Sequence, residues 1–317
     1  MQNSRKKIRI VVIAGLLLLV VIFFVRYSRE TPVQQQSIVK KVHVVTSFYP
    51  LYFFASRIGG DQVEVLNITP AGAEPHDYEP TPKDVARIEA SDLLVLNGGG
   101  LEAWGKNITQ NLDQKKTRVV TVGEFLTTAV IKEDGKTVPD PHVWLSPLLA
   151  KKMVDRIAES FVAADPAEAP YFYDNAEKLK KDLDQLDVNF RERLSNCSTK
   201  DIVTAHAAFG YLADAYGLRQ VPVAGLSPDA EPSPRQLAEV TAFMKQNQVK
   251  YIFFESLVSP KLSETIASEV GAKTLVLDPI EGLSNQALGR GEDYLSVMRN
   301  NLTNLQIALT CRNSTSQ

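Results

Sequence analysis

The chain contains four histidines, His43, His76, His142 and His206, and three of them fall in loops beside predicted strands or helices. His76 stands in Pro70-Ala71-Gly72-Ala73-Glu74-Pro75-His76-Asp77-Tyr78-Glu79-Pro80, after a strand-like run that ends at Thr69. His206 directly follows Ile202-Val203-Thr204-Ala205, and Asp278 follows Thr274-Leu275-Val276-Leu277 in the same way. His142 lies in Asp140-Pro141-His142-Val143-Trp144-Leu145, just ahead of Ser146-Pro147. Neutral imidazoles from His76, His142 and His206 with the Asp278 carboxylate suit a borderline divalent ion such as Zn2+, which takes nitrogen donors at about 2.0–2.1 Å in tetrahedral geometry. Glu74, Asp77 and Glu255 are placed to offset the charge that remains. Each residue also has an ordinary reading, since loop histidines commonly hydrogen-bond locally and Asp-Pro after a strand is turn chemistry. Joint placement is what points to a metal. His43, inside Val42-His43-Val44-Val45, keeps the ordinary reading of a strand histidine.

Ligands from four separate loops need a framework that brings those loops together. Short apolar or β-branched runs at Val42–Thr46, Val63–Thr69, Leu93–Asn97 and Val119–Val122 alternate with helical segments. A second series follows at Ile202–Ala205, Val221–Ala224, Tyr251–Phe254 and Thr274–Leu277. This pattern predicts an α/β protein of two lobes, each a mainly parallel sheet flanked by helices, with ligands at the carboxyl ends of the strands. Between the lobes, Leu179, Leu183, Leu186, Phe190 and Leu194 recur at helical spacing. They predict a long connecting helix that stiffens the hinge, with the helix Ala207 to Tyr216 opening after His206. Thr81-Pro82, Ser146-Pro147, Ser233-Pro234 and Ser259-Pro260 read as helix starts, and Gly217 and Gly271 as helix stops. The expected divisions are 1–40, 41–165 for the first lobe, 166–197 for the connecting helix and 198–317 for the second lobe. The metal would then lie in the cleft between the lobes.

Composition limits the partners. Thirty-five Lys+Arg against thirty-seven Asp+Glu leave a net charge of −2 in 317 residues, with no basic excess for nucleic acid. Arg5, Lys6, Lys7 and Arg9 precede a charge-free run from Ile10 to Val25, closed by Arg26, the layout of an export signal or membrane anchor with the body outside. No small-x-small triplet follows Val25, which favours an uncleaved anchor over a removed signal peptide. Residues from about Tyr27 to Lys41 then read as a tether. No cysteine precedes Cys197, so no N-terminal lipid-modified cysteine is expected. In an oxidising compartment Cys197 and Cys311 are expected to form one bridge, two free thiols being the other outcome.

Glu74-Pro75-His76-Asp77-Tyr78-Glu79-Pro80-Thr81-Pro82, Asp140-Pro141-His142-Val143-Trp144-Leu145, Gly225-Leu226-Ser227-Pro228-Asp229-Ala230-Glu231-Pro232-Ser233-Pro234 and Leu277-Asp278-Pro279-Ile280-Glu281-Gly282 together resemble the zinc/manganese solute-binding proteins of ABC importers. The resemblance runs from about Lys41 to Cys311. It implies an extracytoplasmic receptor that captures the ion in its cleft and passes it to a membrane permease; the chain is expected to act as a monomer. It also implies ligation by His76, His142, His206 and Asp278. Manganese-type members carry a carboxylate at the third position, so His206 favours Zn2+ over Mn2+. Many zinc-type members have a long His-rich loop before the second histidine, whereas Thr127–Asp140 here is short and has no His, so a metal-collecting role for that loop is not expected.

Two other readings compete. A surface adhesin could share the scaffold. A zinc hydrolase would use the three histidines as ligands and Glu255 or Glu74 as general base, with Asp278 outside the shell, but no H-E-x-x-H or nucleophile motif supports it. Gly100-Leu101-Glu102-Ala103-Trp104-Gly105-Lys106 superficially fits a phosphate loop, yet Asn107 replaces the Ser/Thr and Glu102 would face the phosphates. It reads as a glycine-containing loop with Trp104 a packing or cleft residue.

Overall fold

The computed structural model describes residues 14–24, 26, 41–133, 136–228 and 230–312. Residues 14–24 are helical, with Leu16 to Phe24 exposed. No helix among the described residues is long and apolar enough to cross a membrane. Residues 10–13 and 25 of the apolar run, and the expected tether over 27–40, lie outside the described residues.

From Lys41 onward, β-branched runs form strands and amphipathic stretches pack between them. The first sheet uses β1 (Val42–Thr46), β2 (Val63–Asn67), β3 (Leu93–Leu96) and β4 (Arg118–Thr121), with α1 (Tyr49–Gly59), α2 (Pro82–Ala90) and the short α3 (Gly105–Thr109) between them. All its pairings are parallel in the order β2-β1-β3-β4, with Val44 opposite Val65 and Leu93. An antiparallel hairpin, β5 (Val130–Glu133) and β6 (Lys136–Pro139), follows, then α4 (Pro147–Ala164) and α5 (Ala169–Leu194). The second sheet contains β7 (Asp201–Thr204), β8 (Arg219–Pro222), β9 (Tyr251–Phe254) and β10 (Lys273–Val276), interleaved with α6 (Gly210–Tyr216), α7 (Pro234–Gln246) and α8 (Lys261–Val270). The chain closes with α9 (Asn285–Gly289) and α10 (Tyr294–Ala308). The order β10-β9-β7-β8 is also all parallel and repeats the topology of the first sheet. Strand order reverses between β1 and β3, and again between β7 and β9, and loops leaving such points open a crevice.

The expected strands are present, but six of them stop one or two residues early, at Asn67, Leu96, Thr121, Thr204, Pro222 and Val276. The helix expected from Ala207 begins instead at Gly210. Residues 206–209 stay in a loop because the Ala207 amide donates to the Gly225 carbonyl at 2.8 Å. Thr81 and Ser233 close capping boxes with Asp84 and Gln236, while Ser146 makes no side-chain cap and the fourth start shifts so that Pro260 is the cap. Gly217 and Gly271 end their helices in the left-handed region, at φ 63° and 69°.

α5 is 26 residues long, about 39 Å at 1.5 Å per residue. Leu179, Leu183, Leu186, Phe190 and Leu194 are all buried along one stripe, as their spacing predicted. They belong to a single core that runs from Val44 and Phe54 beside the first sheet to Ile202, Phe253 and Leu302 beside the second. Cys197, just past α5, is disulfide-bonded to Cys311, just past α10.

A candidate metal centre between the two sheets

His206 lies two residues beyond β7, at the second sheet's switch point. Its Nδ1 is 2.5 Å from Oε1 of Glu255, the first residue beyond β9. His142 follows β6 and precedes a single 3-10 turn, Val143–Leu145. Its Nδ1 lies 2.7 Å from Asp140 Oδ1, which also accepts the His142 backbone amide at 3.0 Å. With each Nδ1–H donated to a carboxylate, each Nε2 lone pair points away from that acid, as ligating histidines require. His76 comes from the loop between β2 and α2, whose far end is fixed by the Thr81–Asp84 capping box and by Tyr78 donating to Asp84 at 2.8 Å. The near end of that loop is tied across the cleft, where the Gly72 amide donates to the Leu283 carbonyl at 3.0 Å.

The three Nε2 atoms converge on Glu281. Its Oε1 lies 3.4 Å from His76 Nε2, 3.1 Å from His142 Nε2 and 3.3 Å from His206 Nε2, and the Nε2 atoms of His76 and His142 are 3.3 Å apart. A tetrahedral ion with ligands at 2.0–2.1 Å has edges of about 3.3–3.4 Å, so these separations are those of a zinc shell. Nε2 of His206 is buried without a hydrogen-bond partner, an orphaned donor atom that a cation at this centre would satisfy. His142 and His206 are fully buried, Glu281 is 1% exposed and His76 10%. Among the described residues this is the one group of three or more His, Cys, Asp or Glu side chains close enough to share an ion.

Asp278, expected as the carboxylate, is not in that group. Its Oδ1 accepts the Ile280 amide at 2.7 Å, an Asx turn, and its backbone is held by Asn301, which accepts from the Asp278 amide at 2.8 Å and donates to its carbonyl at 2.7 Å. The turn carries the β-branched Ile280 at φ 58°, a costly conformation for such a residue, and so projects Glu281 inward. The Asp-Pro turn signal was in the sequence. What it lacked was any local mark distinguishing Glu281 from other loop acids. The remaining expected acids divide. Glu255 orients His206, Glu74 lies beside Glu281, and Asp77 is exposed, accepting from Ser227 Oγ at 3.4 Å.

Electrostatics match an anion-centred cluster. Burial opposes charge on His206 and on His142, but the adjacent carboxylates overcome it and raise both imidazoles, with Glu255 and Glu281 holding His206 well above its ordinary value. Burial opposes the charge of Glu281 too, yet His206, His142 and His76 hold it well below the usual carboxylate range. Burial and the neighbouring Glu281 charge push Glu74 up to about 9. Asp278 is raised to about 6, chiefly by burial.

Other expectations resolve nearby. His43 is half exposed on β1, 3.5 Å from Glu64. Trp104 is buried with Val45, Ile88 and Leu94. The buried carboxylate of Glu102 accepts Ser47 Oγ at 2.6 Å and the Asn97 and Gly98 amides at 2.7 and 2.9 Å, filling the place a phosphate would need. The segment Thr127–Asp140, expected as a plain short loop, contains the β5–β6 hairpin. Its Asp134-Gly135 pair is a hairpin turn signal available in the sequence.

Two like sheets joined by one long helix, with nitrogen-rich donors converging between them, define a bilobal metal-binding protein of the solute-receptor type. The family model described as ZnuA, zinc-uptake complex component A, periplasmic, matches residues 44–308, and the chain belongs to that family. It is 40% identical over 280 residues to the high-affinity zinc uptake system protein ZnuA of Bacillus subtilis, covering 85% of this chain and 88% of that protein. It is 41% identical over 277 residues to the zinc-binding lipoprotein AdcA of Streptococcus pneumoniae, covering 84% of this chain and 55% of AdcA, so it spans about half of that relative's length. The crystal structure of the Zn(II)-bound ZnuA-like domain of the pneumococcal AdcA superposes with a TM-score of 0.75 at 42% identity, covering 85% of this chain and 99% of that one.

Proposed function

We propose that this chain is the extracytoplasmic receptor of a zinc ABC importer, binding one Zn2+ between its lobes through His76, His142, His206 and Glu281 and delivering it to a membrane permease. The observation that carries the reading is the set of donor separations at tetrahedral edge length, with an acid behind Nδ1 of both His142 and His206. Three nitrogen donors favour Zn2+ over Mn2+. Four protein donors fill a tetrahedral shell and leave no position for an attacking water, which argues for a receptor and against a hydrolase. The proteins named ZnuA and AdcA are described as zinc-uptake and zinc-binding proteins, which supports the same cargo.

The receptor works as a monomer divided at 41–165, 166–197 and 198–317, with residues 1–40 holding it at the outer face of the membrane. Both cysteines are joined to each other, so neither is free for lipid attachment, and the charge-flanked apolar run takes over anchoring. The deciding experiment is competitive titration of the metal-stripped protein with Zn2+ and Mn2+ against a chromogenic chelator. One zinc per chain and weaker manganese binding are expected, and equal affinity for the two ions would refute the assignment.

A further inference from the structure

Two tyrosine hydroxyls from the second half of the chain bracket His142. Tyr211, in α6, donates its hydroxyl hydrogen to the Asp140 carbonyl at 3.0 Å, and the same oxygen accepts the amides of Thr128 and Ala129 at 3.0 Å each. Tyr294, the first residue of α10, donates to the Trp144 carbonyl at 2.5 Å. The two acceptors lie two residues on either side of His142. The indole of Trp144 then returns a hydrogen bond to the Pro279 carbonyl at 2.7 Å, inside the turn that presents Glu281.

His142 therefore precedes α5 in sequence, yet the carbonyls on either side of it are held by the half of the chain that supplies His206 and Glu281. Asp140 is at the centre of this arrangement: its carbonyl is fixed by Tyr211 while its carboxylate fixes Nδ1 of His142. The approach of α6 to Asp140 is so close that a Cβ on Gly210, the residue before Tyr211, would meet Asp140 Oδ2 at 2.8 Å. From the other side, Asn97 Nδ2 donates to the Pro141 carbonyl at 3.0 Å. The two tyrosines, Asp140 and Trp144 are buried, so losing a hydroxyl leaves a buried carbonyl unpaired and frees the segment to shift.

We propose that Tyr211 and Tyr294 are positioning residues for zinc capture, bracketing His142 so that its Nε2 is in register with His206 and Glu281 before the ion arrives. This rests on the zinc reading of the same cluster. A preset donor set spends less of its binding free energy on ordering ligands, and outer groups that orient a ligating histidine typically account for about 10–100-fold in metal affinity.

The test uses Tyr211→Phe and Tyr294→Phe in the full chain, with Tyr216→Phe as a control. The Tyr216 hydroxyl is also buried, donating to Asp187 at 3.1 Å, but it does not touch the His142 segment. Zinc affinity is read by chelator competition, site geometry by the visible absorption of the Co2+-substituted protein, and stability by thermal melting of the metal-free protein. Tyr211→Phe and Tyr294→Phe should each weaken zinc about ten-fold and alter the cobalt spectrum, whereas Tyr216→Phe should lower the melting temperature and leave both unchanged. Should Tyr294→Phe fail to fold, Gly210→Ala replaces it, and its added methyl should displace Asp140 with the same loss of affinity and spectral change. If the variants melt lower but keep wild-type affinity and spectrum, the tyrosines are structural only and the inference is overturned. A wild-type chain that takes up no zinc would overturn the function itself, a result distinct from unaltered binding in the variants.

Discussion

Glu255 and His206 face each other across the gap between the carboxyl ends of β9 and β7, Oε1 to Nδ1 at 2.5 Å, with neither side chain more than 3% exposed. The acid fixes which ring nitrogen carries the proton, and with it the direction of the Nε2 lone pair. Glu255→Gln should weaken zinc binding about 10–100-fold with the fold intact. Chelator competition measures the loss, and circular dichroism checks the fold.

Glu281 and Asp278, three residues apart, should respond differently to substitution. Glu281→Ala removes the carboxylate at the centre of three imidazoles and should cost about 100-fold or more in zinc affinity. Asp278→Asn retains an oxygen to accept the Ile280 amide and should stay within a few-fold of wild type, whereas Asp278→Ala loses the turn and should lower thermal stability by about 1–3 kcal/mol. A large affinity loss in Asp278→Asn, by isothermal titration, would return Asp278 to the shell.

The metal-free and zinc-bound proteins should depend on pH in opposite ways. His206 and His142 are raised above their ordinary 6.5 in the fold, so the stability they contribute is fully present below pH 6.5 and is lost as pH rises through the raised values. Glu281 is held below its ordinary 4.5, so its contribution is present above that value and is lost as pH falls through the depressed one. Glu74, raised to about 9, and Asp278, raised to about 6, likewise lose their contribution as pH rises above their ordinary values, so the metal-free protein should melt highest near pH 4.5. Zinc must displace imidazole protons, so its affinity should increase as pH climbs from 6 to 8, with proton release on binding. Calorimetry in buffers of different ionisation enthalpy counts those protons, and a count of zero at pH 7 would contradict the raised imidazoles.

The bridge between Cys197 and Cys311 closes a loop of 114 residues. In the chain-entropy account such a loop contributes roughly 4–5 kcal/mol. Replacing both cysteines by serine should lower the melting temperature markedly yet leave zinc affinity unchanged, because the bridge is not among the groups that touch the donors or the acids behind them.

Much of the fold was legible because the strands of a doubly covered parallel sheet are continuous apolar runs, and Val42–Thr46 and Tyr251–Phe254 were readable to the residue. Three of the four gathered donors were readable for a different reason, histidine being scarce enough here that placement alone separated His76, His142 and His206 from His43. The carboxylate was not. Asp278 and Glu281 stand in one short motif, and which of them faces inward is decided by the Asx turn, the left-handed Ile280 and the Asn301 and Trp144 hydrogen bonds, the last two reaching from distant parts of the chain. Nor could spacing show that His142 is bracketed by Tyr211 and Tyr294, 69 and 152 positions later in the sequence.

The strap from Cys197 to Cys311 bears on survival among the hydrolytic enzymes outside the cytoplasm. An exopeptidase digesting whatever chain follows Cys311 arrives at a residue covalently fastened near the end of α5. Loss of that chain leaves the cross-link in place, keeping the end of α10 fastened beside α5 and Tyr294 at its hydrogen bond to Trp144.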